Sequence, residues 1–140
     1  MKIKLDDVMQ SMSYPFDAAY YYYIPLETVL MFHNGRIYGK AVFGISDESD
    51  VEKNKDEFIR LPDLGKKGHA TIMKGFAKQV KDEETREYLL RTIENTEDGR
   101  YFDDAVSELK LQMEWYTYRD RVHKEFALRW CRSVGLEAVE

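Results

Sequence analysis

Residues 99–135, GRYFDDAVSELKLQMEWYTYRDRVHKEFALRWCRSVG, decide the fold, because they read as two consecutive amphipathic helices crowded with aromatic side chains. Phe102, Ala105, Val106 and Leu109 recur at helical spacing and define the first apolar stripe. A second helix begins near Gln112, with Trp115, Tyr118, Val122, Phe126 and Trp130 as its apolar face. Asp120 with Lys124, and Glu125 with Arg129, give i,i+4 charge pairs on the wet side. Arg129 and Arg132 complement the negative end of the helix dipole, Gly135 suits the left-handed position just past the end, and Leu136 can fold back as a hydrophobic cap. Aromatics of this size supply much of a core.

The helical pattern extends upstream. Ile72, Met73, Phe76, Ala77 and Val80 form one stripe after Lys66-Lys67-Gly68, and Tyr88, Leu89 and Ile93 form another after Asp82, which suits an N-cap. Asn95 to Gly99 reads as a loop. Before residue 62 the pattern changes. Tyr20–Ile24 and Thr28–Phe32 are aromatic and β-branched, with Pro25-Leu26-Glu27 between them, and read as a hairpin. Asn34-Gly35 is a tight-turn pair leading to a third strand over Ile37–Ile45. The acidic stretch Asp47–Glu57 reads as a loop or an exposed turn, and Phe58–Pro62 as a short edge strand that Pro62 ends. At the N-terminus Leu5, Val8, Met9 and Met12 predict a short helix with Asp6 and Asp7 in its first turn, stopped at Tyr14-Pro15. The predicted fold is α+β: a three- or four-stranded antiparallel sheet packed against a C-terminal group of helices. It forms one domain over 1–140, with the sheet at about 19–62 and the helices at about 68–135.

Composition bounds the function classes. A chain of 140 residues with 44% hydrophobic residues is long enough to bury its own core, and its aromatic content argues against disorder. A net charge of -5 disfavours general polyanion binding and leaves only local basic faces for phosphates. The lone Cys131 excludes an intrachain disulfide and any multi-cysteine zinc site, and its place in a helical pattern reads as a small buried hydrophobe. MKIKLDDVMQ carries charges and no apolar run of signal or spanning length, so a cytoplasmic protein without a membrane segment is expected.

Four segments together, the opening MKIKLDDV, FIRLP at 58–62, GFAKQVKDEETREYLLRTI at 75–93 and EWYTYRDRVHKEFALRWC at 114–131, resemble the bacterial uncharacterised protein family 0158. The closing segment, with Trp115-Tyr116, Arg119-Asp120 and Trp130, is the most specific. The resemblance implies a bacterial, cytoplasmic, single-domain protein. The family's name records that no activity is assigned to it, so no catalytic residue is carried over.

Three functional readings follow from the residues. Tyr20–Tyr23 places two phenols on each face of a strand, so one pair enters the core and the other needs a cover or a partner. The leading reading is a non-catalytic protein-interaction or self-association module, using Tyr21, Tyr23, Arg121, Lys124 and Arg132, with a protein partner or a second copy as occupant. The alternative is a small nucleic-acid-binding protein in which Tyr21 or Tyr23 stacks bases while Arg121, Lys124 and Arg132 hold phosphates. The blander explanation of the basic residues is a solvated helix face. A third reading is an enzyme with a non-local site drawn from Asp103, Asp120 and His123. His33, His69 and His123 lack metal-ligand spacing, no serine sits in a nucleophile elbow, and Gly65-Lys66-Lys67-Gly68 lacks P-loop spacing. No catalytic residue, cofactor or metal is therefore assigned.

Overall fold

The computed structural model describes residues 1–13, 17–95 and 99–140. The helix stop expected at Tyr14-Pro15 and the centre of the Asn95–Gly99 loop lie outside them. The fold is α+β, with two sheets and six α-helices among the described residues. The chain divides into two compact units, Met1–Asp63 with Phe126–Glu140, and Leu64–Glu125.

In the first unit β1 (Lys2–Lys4) leads into α1 (Leu5–Ser11), followed by β2 (Ala18–Tyr23), β3 (Thr28–His33), β4 (Arg36–Tyr38), α2 (Glu48–Lys53) and β5 (Phe58–Arg60). The four-stranded antiparallel sheet has the order β4-β3-β2-β5. The β3–β4 turn follows from its sequence: Asn34 and Gly35 both take positive φ, 52° and 80°, the signature of a two-residue turn whose twist matches the strands. β4 is far shorter than the Ile37–Ile45 strand expected. Gly39 and Gly44 adopt φ of 82° and 83°, which breaks extended pairing, and the chain returns so that Ile37 N–H donates to Ser46 O at 2.9 Å.

The acidic stretch is not a loop. Asp47 caps α2 by accepting from Ser49 N–H at 2.8 Å, and Asp50 reaches back to accept from Asp47 N–H at 3.2 Å, forming a capping box. Val51 is then buried on the sheet, which an otherwise polar segment concealed. A further element escaped the sequence reading: β6 (Glu137–Val139), after the end of the last helix, pairs in parallel with β1, Ile3 opposite Ala138.

One sheet face carries Tyr21, Leu30 and Phe32, packed with Ile45, Val51 and Phe58 into a core. On the opposite face Tyr22 is fully buried and donates from its hydroxyl to Lys2 O at 2.8 Å. Both faces of β2 are thus covered within this unit.

The second unit holds α3 (Gly65–Lys78), α4 (Glu83–Asn95), α5 (Arg100–Glu108) and, through Glu125, most of α6 (Gln112–Val134). Asp82 caps α4 as expected, accepting from Thr85 N–H at 3.0 Å. Trp115 is the hub. Fully buried, it lies 5.0 Å from Phe102 and 5.5 Å from Phe76 between ring centroids, among Ile72, Met73, Leu89 and Val106. Its indole N–H donates to Asp103 Oδ1 at 3.3 Å.

The apolar face of α6 differs from the expected stripe. Trp115, His123, Ala127 and Cys131 are the buried positions, with Tyr118 and Val122 partly buried against the helical core as expected, whereas Phe126 is exposed. The helix ends as its sequence requires: Leu136 N–H donates to Cys131 O at 2.9 Å and Gly135 N–H to Arg132 O at 3.4 Å, with Gly135 at φ 76° and Leu136 buried.

Replacing Trp115 by Ala removes the central ring of the helical unit and the partner of Asp103. A loss of about 3–5 kcal/mol is expected, read as a lowered urea midpoint by circular dichroism.

Candidate functional site

The tyrosine run does not form the outward surface expected of it. Tyr21, 8% exposed, lies in the core, with Phe32 and Phe58 edge-on at 5.5 and 6.1 Å. Its hydroxyl donates to Glu48 Oε2 at 2.8 Å and accepts from Arg60 at 3.3 Å. Burial and then the hydrogen bond to Glu48 push the Tyr21 phenol up from its ordinary value. Tyr23 is half-buried, its ring 4.9 Å from Phe58. Alternation along β2 was read correctly, but α2 covers one face and β1 with α1 the other. Tyr21 therefore offers no open ring face to a base, because its neighbours already fill that space.

Arg121, Lys124 and Arg132 are exposed, as a solvated face requires. The Arg121 guanidinium lies 5.3 Å over the Tyr118 ring, and that of Arg119 lies 4.9 Å over Tyr116, so part of this basic character is spent on the helix's own aromatics. Arg119 also pairs with Asp120 at 3.2 Å. Asp103 holds Trp115, Asp120 holds Arg119, and His123 is buried, so the three residues of the enzyme reading each have a separate structural setting. Among the described residues no group of three or more His, Cys, Asp or Glu is placed to hold a metal ion. Cys131 is buried, and burial raises its thiol pKa, the setting of a packing residue.

Exposed aromatic surface lies elsewhere. Phe43 is fully exposed and Tyr38 is 63% exposed. Phe43 and Gly44 are the two central residues of a turn closed by Ile45 N–H donating to Val42 O at 3.1 Å, and the positive φ of Gly44 is what that turn geometry demands. The sequence reading placed Phe43 inside a strand; only the two glycines flanking residues 40–43 signalled a projecting turn. In the helical unit Tyr101, Met113 and Tyr116 are also exposed.

His69 and His123 are buried in the helical unit. His69 lies 6.2 Å from Trp115 between ring centroids, and His123, 2% exposed, has an Nε2 with no hydrogen-bond partner among the described residues. Burial drives both pKa values down, that of His69 to about 4, with neighbouring positive charge from His123 and Arg119 adding to the effect on His69. Both imidazoles are neutral at pH 7 and act as packing groups.

The geometry defines an α+β protein with a sheet unit and a helical unit, and no helix among the described residues is long and apolar enough to cross a membrane. The sequence model of the Uncharacterised protein family (UPF0158) matches residues 1–140, and the chain belongs to that family. No curated protein and no solved structure matches it.

A histidine that protonates less readily folded than unfolded leaves the unfolded chain binding more protons between the two values. The stability this group contributes is therefore complete above about pH 6.5 and declines as pH falls toward 4. For His69 the expected loss is about 2 kcal/mol by pH 5. Urea midpoints measured from pH 8 to 5 check this: the wild-type midpoint falls, His69→Gln flattens that limb, and an identical slope in both proteins contradicts the assignment.

Proposed function

We propose that the protein is a non-catalytic protein-interaction or self-association module whose contact element is the Tyr38–Phe43 edge of the sheet unit. The observation that carries this reading is the fully exposed Phe43, presented on a glycine-bounded turn. A large apolar side chain held in water by a tight turn gains free energy when a partner covers it, and aromatic anchors dominate the energetics of interfaces. The turn also limits the chain entropy lost on docking, since Gly44 and the Ile45 to Val42 hydrogen bond already fix its shape. Compared with the sequence reading, the contact moves from Tyr21 and Tyr23 to Tyr38 and Phe43. The chemistry stays the same, aromatic burial in place of reaction. Bacterial origin and a cytoplasmic location fit this role and come from the sequence resemblance.

Light scattering across a concentration series, together with the stoichiometry of any co-purifying protein, tests the reading. The double variant Tyr38→Ser, Phe43→Ser keeps the circular dichroism of the wild type, because both side chains already stand in solvent. It is expected to lose the dimer or the stoichiometric partner by at least tenfold in affinity. A double variant that associates as tightly as the wild type overturns the assignment.

A further inference from the structure

A second feature of the sheet unit is a cleft of about 240 Å³ beside β1, whose walls are unusually rich in charge. Lys2, Lys4 and Lys40 line it, together with Asp7, Glu27 and Thr28. No acidic side chain among the described residues lies within ion-pair distance of any of the three ammonium groups. The Lys40 ammonium is directed to the wall, where it donates to Thr28 Oγ1. The cleft thus holds three cations and two carboxylates that do not neutralise one another by direct contact.

The frame around these groups is fixed. The Tyr22 hydroxyl donates to Lys2 O at 2.8 Å from a fully buried ring, and Ile3 is buried between the two lysines of β1, so the strand carrying Lys2 and Lys4 is anchored from below. Glu27 sits at φ 46°, ψ 48°, a left-handed conformation unusual for a residue of this type, and its Oε1 accepts from Lys2 N–H at 3.4 Å. On the other side Gly39, at φ 82°, turns the chain so that Lys40 reaches back over β3.

We propose that this cleft binds a small polyhydroxylated anion, a molecule with one phosphate or carboxylate head and a short run of hydroxyl groups. The three ammonium groups meet the head, and the one-charge excess of the lining suits a single anionic group. The Asp7 and Glu27 carboxylates and the Thr28 hydroxyl accept from the ligand's hydroxyls, as an acidic side chain accepts from a sugar diol in dinucleotide-binding folds. The volume is below the usual range of about 300–1,000 Å³ for drug-sized ligands, which limits the occupant to the size of one sugar unit. Lys40 belongs to the same Tyr38–Phe43 segment as the proposed contact, but it faces this cleft through its ammonium group, and binding here does not depend on Tyr38 or Phe43 being covered.

Titration calorimetry on the full chain, with ribose 5-phosphate, gluconate, ribose and inorganic phosphate as probes, tests the proposal. Ribose 5-phosphate or gluconate is expected to bind at least tenfold more tightly than both ribose and inorganic phosphate, and which of the two does so separates a sugar phosphate from a sugar acid. Lys4→Ala with Lys40→Ala is expected to weaken that binding at least tenfold, and both positions are exposed, so the fold is retained. Asp7→Asn with Glu27→Gln is expected to abolish the preference over inorganic phosphate. No saturable binding of either anionic sugar, equal binding of inorganic phosphate, or binding untouched by the lysine changes overturns the proposal. Backbone amide shifts on titration give an independent readout: movement confined to the residues around β1 and Lys40 supports the site, and movement elsewhere overturns it.

Discussion

The sheet unit depends on β2 having to bury side chains on both of its faces at once. A strand that sends Tyr21 and Tyr23 one way and Tyr20 and Tyr22 the other holds no stable position with one face in water, because each phenol brings a large apolar ring. The first face is closed by α2, where the Asp47 and Asp50 capping box secures a six-residue helix just long enough to lay Val51 on the sheet. The second is closed from the N-terminal side, where Tyr22 reaches the backbone of β1 and α1 packs against β2. The hydroxyls are satisfied on Glu48 and on Lys2 O, so burying them leaves no orphaned donor. With both faces taken, Tyr38 and Phe43 stand at the sheet's margin, where glycines force the chain out of register and leave Phe43 in solvent.

The helical unit is organised around Trp115 in an analogous way, but its tolerance is set by backbone approach. A Cβ at Gly75 would collide with the Tyr118 hydroxyl, and one at Gly99 would meet Met73 Sδ at 2.9 Å and His69 Nε2 at 3.1 Å. Two histidines, His69 and His123, are buried in this unit. Each is neutral at pH 7 because burial disfavours its charged form. An imidazole in that position makes the unit's stability depend on pH.

Elements whose stabilising contacts lie within a few residues were legible. The Asn34-Gly35 turn, the Asp82 cap, the four C-terminal helices and the Gly135 terminus all follow from turn, cap and periodicity chemistry that acts over one or two helical turns. The α2 helix was hidden because its acidic composition outweighed a single apolar residue, although Asp47 and Asp50 stand three apart as a capping box requires. For the candidate sites, residue type was informative and placement was not. Aromatic excess raised the expectation of a contact surface, yet Tyr21 belongs to the core and Phe43 to the surface, the reverse of what strand propensity predicts. His123 looked like a possible reactive group, and its side chain, 2% exposed, lies in the interior.

By itself the sequence determined the class of fold, the positions of most elements and the chemistry of their ends, because hydrophobic period and capping are local properties of the chain. Tertiary structure alone decided which tyrosine is covered, that residues 2–4 pair in parallel with 137–139, and that lysines from β1 and from the Gly39 turn line one cleft. The physical reason is the same in each case. A three-residue strand has too few local contacts to stand alone, and an ammonium group on a flexible stem carries no periodic signal, so both acquire a defined role only when distant segments bring them a partner.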